Sequence, residues 1–245
     1  MSRAHQNKKG KKCMVYLSAD THGCLDLQKV TDFFQTETLH TPLTKKDYLI
    51  LLGDAGICWD GGKNDAWVKK QLQNLPVTTL WLDGNHENFP LLTEYPKKRW
   101  HGGYVHVIAA DLLHLMRGYC YEIEGKVFWV FGGGNSVDKA CRTQGIDWWP
   151  QEMPSEEEYE RGRKSLLEHG YQADYMLTHT APLHVAQQLA EYLLPGEEKL
   201  QEYLQDISQC TVFREWYFGH WHMDLTVSQK YHGLMEQVVR IDLTE

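Results

Sequence analysis

Residues 78–87 read TTLWLDGNHE. The apolar, β-rich run Thr78–Leu82 stops at the polar cluster Asp83-Gly84-Asn85-His86-Glu87. The same pattern occurs four more times. Cys13–Leu17 (CMVYL) runs into Ser18-Ala19-Asp20-Thr21-His22, and Tyr48–Leu52 (YLILL) into Gly53-Asp54. Tyr175–Leu177 (YML) runs into Thr178-His179-Thr180, and Trp216–Phe218 (WYF) into Gly219-His220-Trp221-His222. Continuous apolar runs of this length predict buried strands. In α/β folds ligands gather beyond the carboxyl ends of strands, so five such loops can converge on one site.

Between the runs, helical spacing of apolar residues predicts helices over Asp26–Gln35, Asp65–Gln73, Ser155–His169, Leu183–Leu193 and Glu197–Ile207. Ser155 with Glu158 three positions on is a capping-box signature. Pro195-Gly196 separates the last two helices. The middle is different: Tyr119–Ile123 and Lys126–Phe131 flank Glu124-Gly125, a hairpin signal, and Met223–Leu243 alternates enough to be strand. Early βαβ units followed by antiparallel strands predict an α/β architecture of two packed mixed sheets with helices outside. Residues 13–245 read as a single domain, preceded by a flexible basic tail over 1–12.

The polar clusters hold a chemically coherent set. Imidazoles mixed with carboxylates favour manganese, iron, zinc or nickel over magnesium or calcium. A carboxylate such as Asp54 has two oxygens and can bridge two cations. Two ions about 3.5–4 Å apart can clamp the attacking and leaving oxygens of an in-line displacement at phosphorus and lower the pKa of water to about 7. Taken singly each cluster is a weak signal. His220 and His222 share a face only if their segment is extended, and Gly84-Asn85-His86-Glu87 alone is compatible with a turn and a helix N-cap.

The ordered set DxH, GD, GNH[DE], H and GHxH, spanning Asp20 to His222, resembles the calcineurin-like metallophosphoesterase superfamily. That resemblance implies a two-sheet, four-layer sandwich and two divalent metal ions, with manganese the first choice. It places one ion on Asp20, His22, Asp54 and His222, and the other on Asp54, Asn85, His179 and His220, with Asp54 bridging. His86 would bind no metal; it would stabilise developing charge or protonate the leaving oxygen. Phosphoprotein phosphatases of the superfamily carry GDxVDRG and an Arg just before GNHE. Here Asp54-Ala55-Gly56-Ile57-Cys58-Trp59 and Leu82-Asp83-Gly84 lack both arginines. Their absence argues against that activity and against diadenosine-polyphosphate hydrolysis.

Composition narrows the class further. The 245 residues are 42% hydrophobic and 12% aromatic, enough for a packed core. A net charge of -8 argues against binding long duplex nucleic acid, while leaving short or single-stranded substrates open. The six cysteines form no CxxC pair, which fits reduced thiols in the cytoplasm. There is no signal-peptide pattern and no apolar run near the ~20 residues of a membrane span.

The substrate side is less determined. Gly132-Gly133-Gly134-Asn135-Ser136 offers backbone N–H groups that can face a phosphate, and Arg142 can pair with phosphate oxygens or with a nearby Asp. Trp148-Trp149-Pro150 forms either an aromatic lip over the site or a loop pinned to the core. Arg142, Asn135 and Trp149 are the substrate candidates, with Lys139 behind them. Trp59 and Trp221 are candidate pocket walls, and Thr178 and Thr180 candidate orienters of His179. The reading is hydrolysis of a small phosphomonoester or phosphodiester. The alternatives are a non-catalytic metal-binding scaffold of the same fold and a nuclease for short or single strands.

Overall fold

The computed structural model describes residues 13–190 and 195–243. The expected basic tail over 1–12 and the end of the helix expected to reach Leu193 lie outside the described residues.

Two sheets pack face to face. In the first, β1 (Val15–Ser18), β2 (Tyr48–Leu52), β3 (Thr78–Leu82) and β6 (Leu112–Leu115) run parallel. β4 (Lys97–Trp100) and β5 (Gly103–Ala109) add antiparallel at one edge and β13 (Val239–Ile241) at the other, giving the order β13-β1-β2-β3-β6-β5-β4. In the second, β8 (Lys126–Phe131), β9 (Tyr175–Thr178), β10 (Glu215–Phe218) and β12 (Tyr231–Gly233) run parallel. Antiparallel β7 (Tyr119–Ile123) and β11 (Leu225–Val227) close its edges.

The apolar runs are continuous because each strand is buried on both faces. Val15, Leu17, Ile50, Leu52, Leu80 and Leu82 point between the sheets, where they meet Phe128, Val130, Tyr175 and Leu177. Their neighbours Tyr16, Leu49, Leu51 and Trp81 point the other way. There they pack on α1 (Gln28–His40) through Val30 and Phe34, and on α2 (Lys63–Asn74) through Val68 and Leu72. On the far side Trp129, Phe131, Met176 and Trp216 pack against α4 (Glu156–Glu168), α5 (Leu183–Leu189) and α6 (Glu198–Cys210). A short α3 (Phe89–Thr93) follows the loop after β3. The result is a four-layer helix–sheet–sheet–helix sandwich. No described helix is long and apolar enough to cross a membrane.

Local signals behave as expected. Both halves of the α4 capping box form, with Ser155 N–H donating to Glu158 at 2.8 Å. Glu124 and Gly125 both have positive φ, the geometry a two-residue hairpin needs. α5 stops at Leu189 because Ala190 is already extended (φ -137°, ψ 144°).

Candidate metal centre

Five of the seven candidate ligands take left-handed backbone: Asp20, His22, Asp54, His220 and His222, with φ between 43° and 66°. Such conformations cost about 1–2 kcal/mol for residues with a Cβ and cluster where structure is held for function. They also revise how His220 and His222 share a site. The strand ends at Phe218, so the two residues are placed by left-handed turns rather than by strand alternation.

Backbone bonds lock the loops together. His22 N–H donates to the Asp54 carbonyl at 2.8 Å, His86 N–H to Asp54 Oδ1 at 2.8 Å, and His220 N–H to Asp20 Oδ2 at 2.9 Å. Gly84 sits so close to Asp54 that a Cβ there would lie 2.0 Å from Oδ1. A Cβ on Gly53 would lie 2.1 Å from His179 Nδ1. The glycines in these motifs thus mark where one ligand's backbone touches another ligand's side chain.

Asp54 lies at the middle, 1% exposed. Its Oδ2 is 3.5 Å from His179 Nε2, 3.7 Å from His22 Nε2 and 4.0 Å from His86 Nε2. His222 Nε2 is 3.7 Å from Asp20 Oδ1. Among the described residues, Asp20, His22 and His222 form one group whose ligand atoms lie within 4.8 Å of one another, and Asp20, Asp54 and His179 form another. Asn85 joins the second group, its Oδ1 3.0 Å from His179 Nε2. His220 is the candidate that stands apart: its ring is 4.9 Å from that of His179, but its Nε2 is turned to Glu197 Oε1, 3.2 Å away.

Neighbours fix which atoms face inward. His179 Nδ1 donates to the Leu52 carbonyl at 2.8 Å, leaving Nε2 for the centre. Thr178 and Thr180 make no such contact: Thr178 Oγ1 bonds the Thr180 carbonyl, and Thr180 Oγ1 donates to Glu197. Asn85 Nδ2 donates to Ser136 Oγ at 3.1 Å, and Ser136 in turn donates to Glu152, so the amide oxygen of Asn85 points to His179. Lys29 of α1 donates to the Ala19 and Asp20 carbonyls, a brace with no signature in the sequence.

The charges are strongly coupled. Burial pushes His179 down, but the Asp54 and Asp20 carboxylates outweigh it and raise it to about 9. Burial alone would raise Asp54; the His179 and His22 imidazoles hold it well below the usual carboxylate range. Burial raises Asp20, with the Asp54 charge adding to it. Burial lowers His86, and the nearby Arg142 and imidazole charges act in the same direction.

The residues suit cations on their own chemistry. Asp20 Oδ1 is buried and has no hydrogen-bond partner among the described residues, and an unsatisfied charged atom is costly. Several imidazole nitrogens face it and Asp54, the mixed nitrogen and oxygen set of a transition-metal site.

The substrate candidates fall out unevenly. A cavity of about 380 Å³ opens beside His22, Asp54 and His86 and is walled by Trp59, Val68 and Arg142. Arg142 also pairs with Asp138 at 2.7 Å. Trp149 is 4% exposed and packs edge-on behind Trp59, ring centres 5.7 Å apart, so it backs the wall and forms no lip. The glycine-rich loop does not present free amides. Gly133, Gly134, Asn135 and Ser136 N–H groups donate to Asp83, Glu152, Glu197 and Glu152 respectively. The Asn135 side chain bonds the Pro195 carbonyl and Lys139. This loop braces Asn85 from behind.

No family model and no curated protein matches the chain. Among solved structures, the chain is similar to a phosphopantetheinyl hydrolase from Mycobacterium tuberculosis. The TM-score is 0.47 at 15% identity, covering 92% of this chain and 90% of that one.

Proposed function

We propose that the chain is a metal-dependent phosphoester hydrolase with two divalent cations, one on Asp20, His22, Asp54 and His222, the other on Asp54, Asn85, His179 and His220. The observation that carries this reading is the buried Asp54 carboxylate, with three imidazole Nε2 atoms within 4.0 Å of its Oδ2. When bound, a cation pair neutralises phosphoryl oxygens and makes hydroxide available near neutral pH.

The chain's own groups do the rest. Asp54 is pre-positioned by His86 N–H, and His179 by the Leu52 carbonyl, so neither needs to reorganise as charge develops. His86 is partly exposed at the cavity edge, with Nε2 4.0 Å from Asp54. From there it donates to the leaving oxygen. The organic part of the substrate sits against Trp59 and Val68, and Arg142 offers its guanidinium to an anionic oxygen. Manganese is the first cation to try, with iron, zinc and nickel compatible with the same donors.

Chelator-treated protein reloaded with Mn, Ni or Zn should hydrolyse aryl phosphate mono- or diesters. Asp54→Asn should lower turnover by more than about 100-fold, beyond the loss expected from an outer partner of a ligand. Full activity of Asp54→Asn after the same stripping and reloading would overturn the reading.

A further inference from the structure

Glu197 is fully buried, yet no resembling motif includes it. It directly precedes α6 but does not cap that helix: its side chain bonds none of the first-turn N–H groups. It points inward instead. Oε1 accepts from Asn135 N–H at 3.0 Å and lies 3.2 Å from His220 Nε2, an ion-pair distance though off the line of an ideal hydrogen bond. Oε2 accepts from Thr180 Oγ1 at 3.0 Å and from Gln201 Nε2 at 2.8 Å.

These partners are not scattered. Thr180 follows His179, Asn135 precedes the Ser136 that holds Asn85, and His220 is contacted directly. One carboxylate therefore ties together the loops that carry His179 and His220 and the loop whose Ser136 holds Asn85, so it reaches, directly or through one neighbour, every ligand of the second cation except Asp54. Gly134 sits at their junction: a Cβ there would lie 3.1 Å from His179 Cδ2 and 3.3 Å from both Asn85 Oδ1 and Glu197 Oε1. Among the described residues Glu197 has no Arg or Lys partner, and a buried carboxylate of this kind persists where hydrogen bonds repay its desolvation.

We infer that Glu197 is the positioning residue of the second cation site, holding His220 through Nε2 so that Nδ1 is the nitrogen offered to the metal. Metal-binding histidines commonly give their other ring N–H to a carboxylate, which fixes the tautomer and the ring. The inference rests on the two-cation reading above and adds to it an eighth residue and a ligand atom.

Calorimetric titration of chelator-treated protein with Mn²⁺ tests it without any substrate. Wild type should bind two equivalents. Glu197→Ala should leave the site of Asp20, His22 and His222 unchanged and weaken the second by at least tenfold. His220→Ala should do the same, and Glu197→Ala/His220→Ala should lose no more than the worse single variant, because the carboxylate acts through the ring. Should Glu197→Ala fail to fold, Glu197→Gln carries the comparison: it keeps the volume and removes the charge, so its loss is smaller but still confined to the second site. Two wild-type affinities in the Glu197 variant, or losses that add in the double variant, would overturn the assignment of Glu197. If His220→Ala itself binds two equivalents as wild type does, the ligand reading of His220 fails and the inference falls with it.

Discussion

His179 Nε2 lies 3.5 Å from Asp54 Oδ2, although Asp54 follows a strand of the first sheet and His179 a strand of the second. The contact joins the ends of two sheets whose shared interior is otherwise apolar. Its geometry is set by backbone: the His86 N–H orients Asp54, and the Leu52 carbonyl orients His179. Strand ends and tight turns thus set these two side chains, and packed side chains such as Ser136 and Glu197 brace the ligands around them.

Gly84→Ala tests that placement. The new Cβ would stand 2.0 Å from Asp54 Oδ1 and 2.6 Å from Asp54 N, and neither atom can move without breaking the turn. Overpacking of this kind costs about 1–3 kcal/mol, which in a chain of this size lowers Tm by about 2–4 °C per kcal/mol. The stabilisation that Mn²⁺ gives the wild type in thermal melts should also largely disappear. A variant that melts and responds to Mn²⁺ like wild type would show that the Gly84–Asp54 contact does not matter.

His179 gives a pH dependence with a definite sign. Without a cation its pKa is raised to about 9 by Asp54 and Asp20 against the effect of burial. At every pH below that value a cation must displace a proton from it. Apparent Mn²⁺ affinity should therefore climb by up to about tenfold per pH unit from pH 6 to 8 on account of this residue. Calorimetry in buffers of different ionisation enthalpy should report the released proton at pH 7. Affinity that is flat over this range would contradict the charge state assigned to His179.

Much of this was legible in the sequence, for a physical reason. Runs such as Tyr48–Leu52 and Thr78–Leu82 are buried on both faces, so their ends coincide with the ends of the apolar stretches. Helix ends were less legible: α1 continues to His40, past the last strongly periodic apolar positions. The groups that brace the centre were not legible at all. Glu197, Lys29 and Ser136 act through tertiary contacts, and nothing local distinguishes them from ordinary helix and loop residues. The run Gly132-Gly133-Gly134 gave a phosphate-binding signal because glycines let backbone N–H groups approach a ligand, but the amides from Gly133 to Ser136 are taken by Asp83, Glu152 and Glu197.

Two histidines outside the motifs also carry a testable consequence. His106 Nδ1 lies 3.0 Å from His114 Nδ1, and His114 Nε2 3.1 Å from Asp83, which Arg117 holds from its other oxygen. Burial, with His114 and Lys97 adding, lowers His106 to about 3 from an ordinary 6.5. Between those values the unfolded chain takes a proton that the folded chain refuses. Stability from this group is thus complete above 6.5 and lost as pH falls, by at most about 1.4 kcal/mol per pH unit. Urea midpoints from pH 6.5 to 4.5 should fall less steeply for His106→Gln than for wild type. Equal slopes would remove His106 as a source of acid sensitivity.

The central claim is most directly tested by anomalous scattering from crystals of the full chain soaked in Mn²⁺, with data collected near the manganese edge. The account predicts two peaks flanking the Asp54 carboxylate, one among Asp20, His22 and His222, the other beside Asn85 and His179. A map with no peak at Asp54, or with manganese bound only elsewhere on the surface, would contradict it.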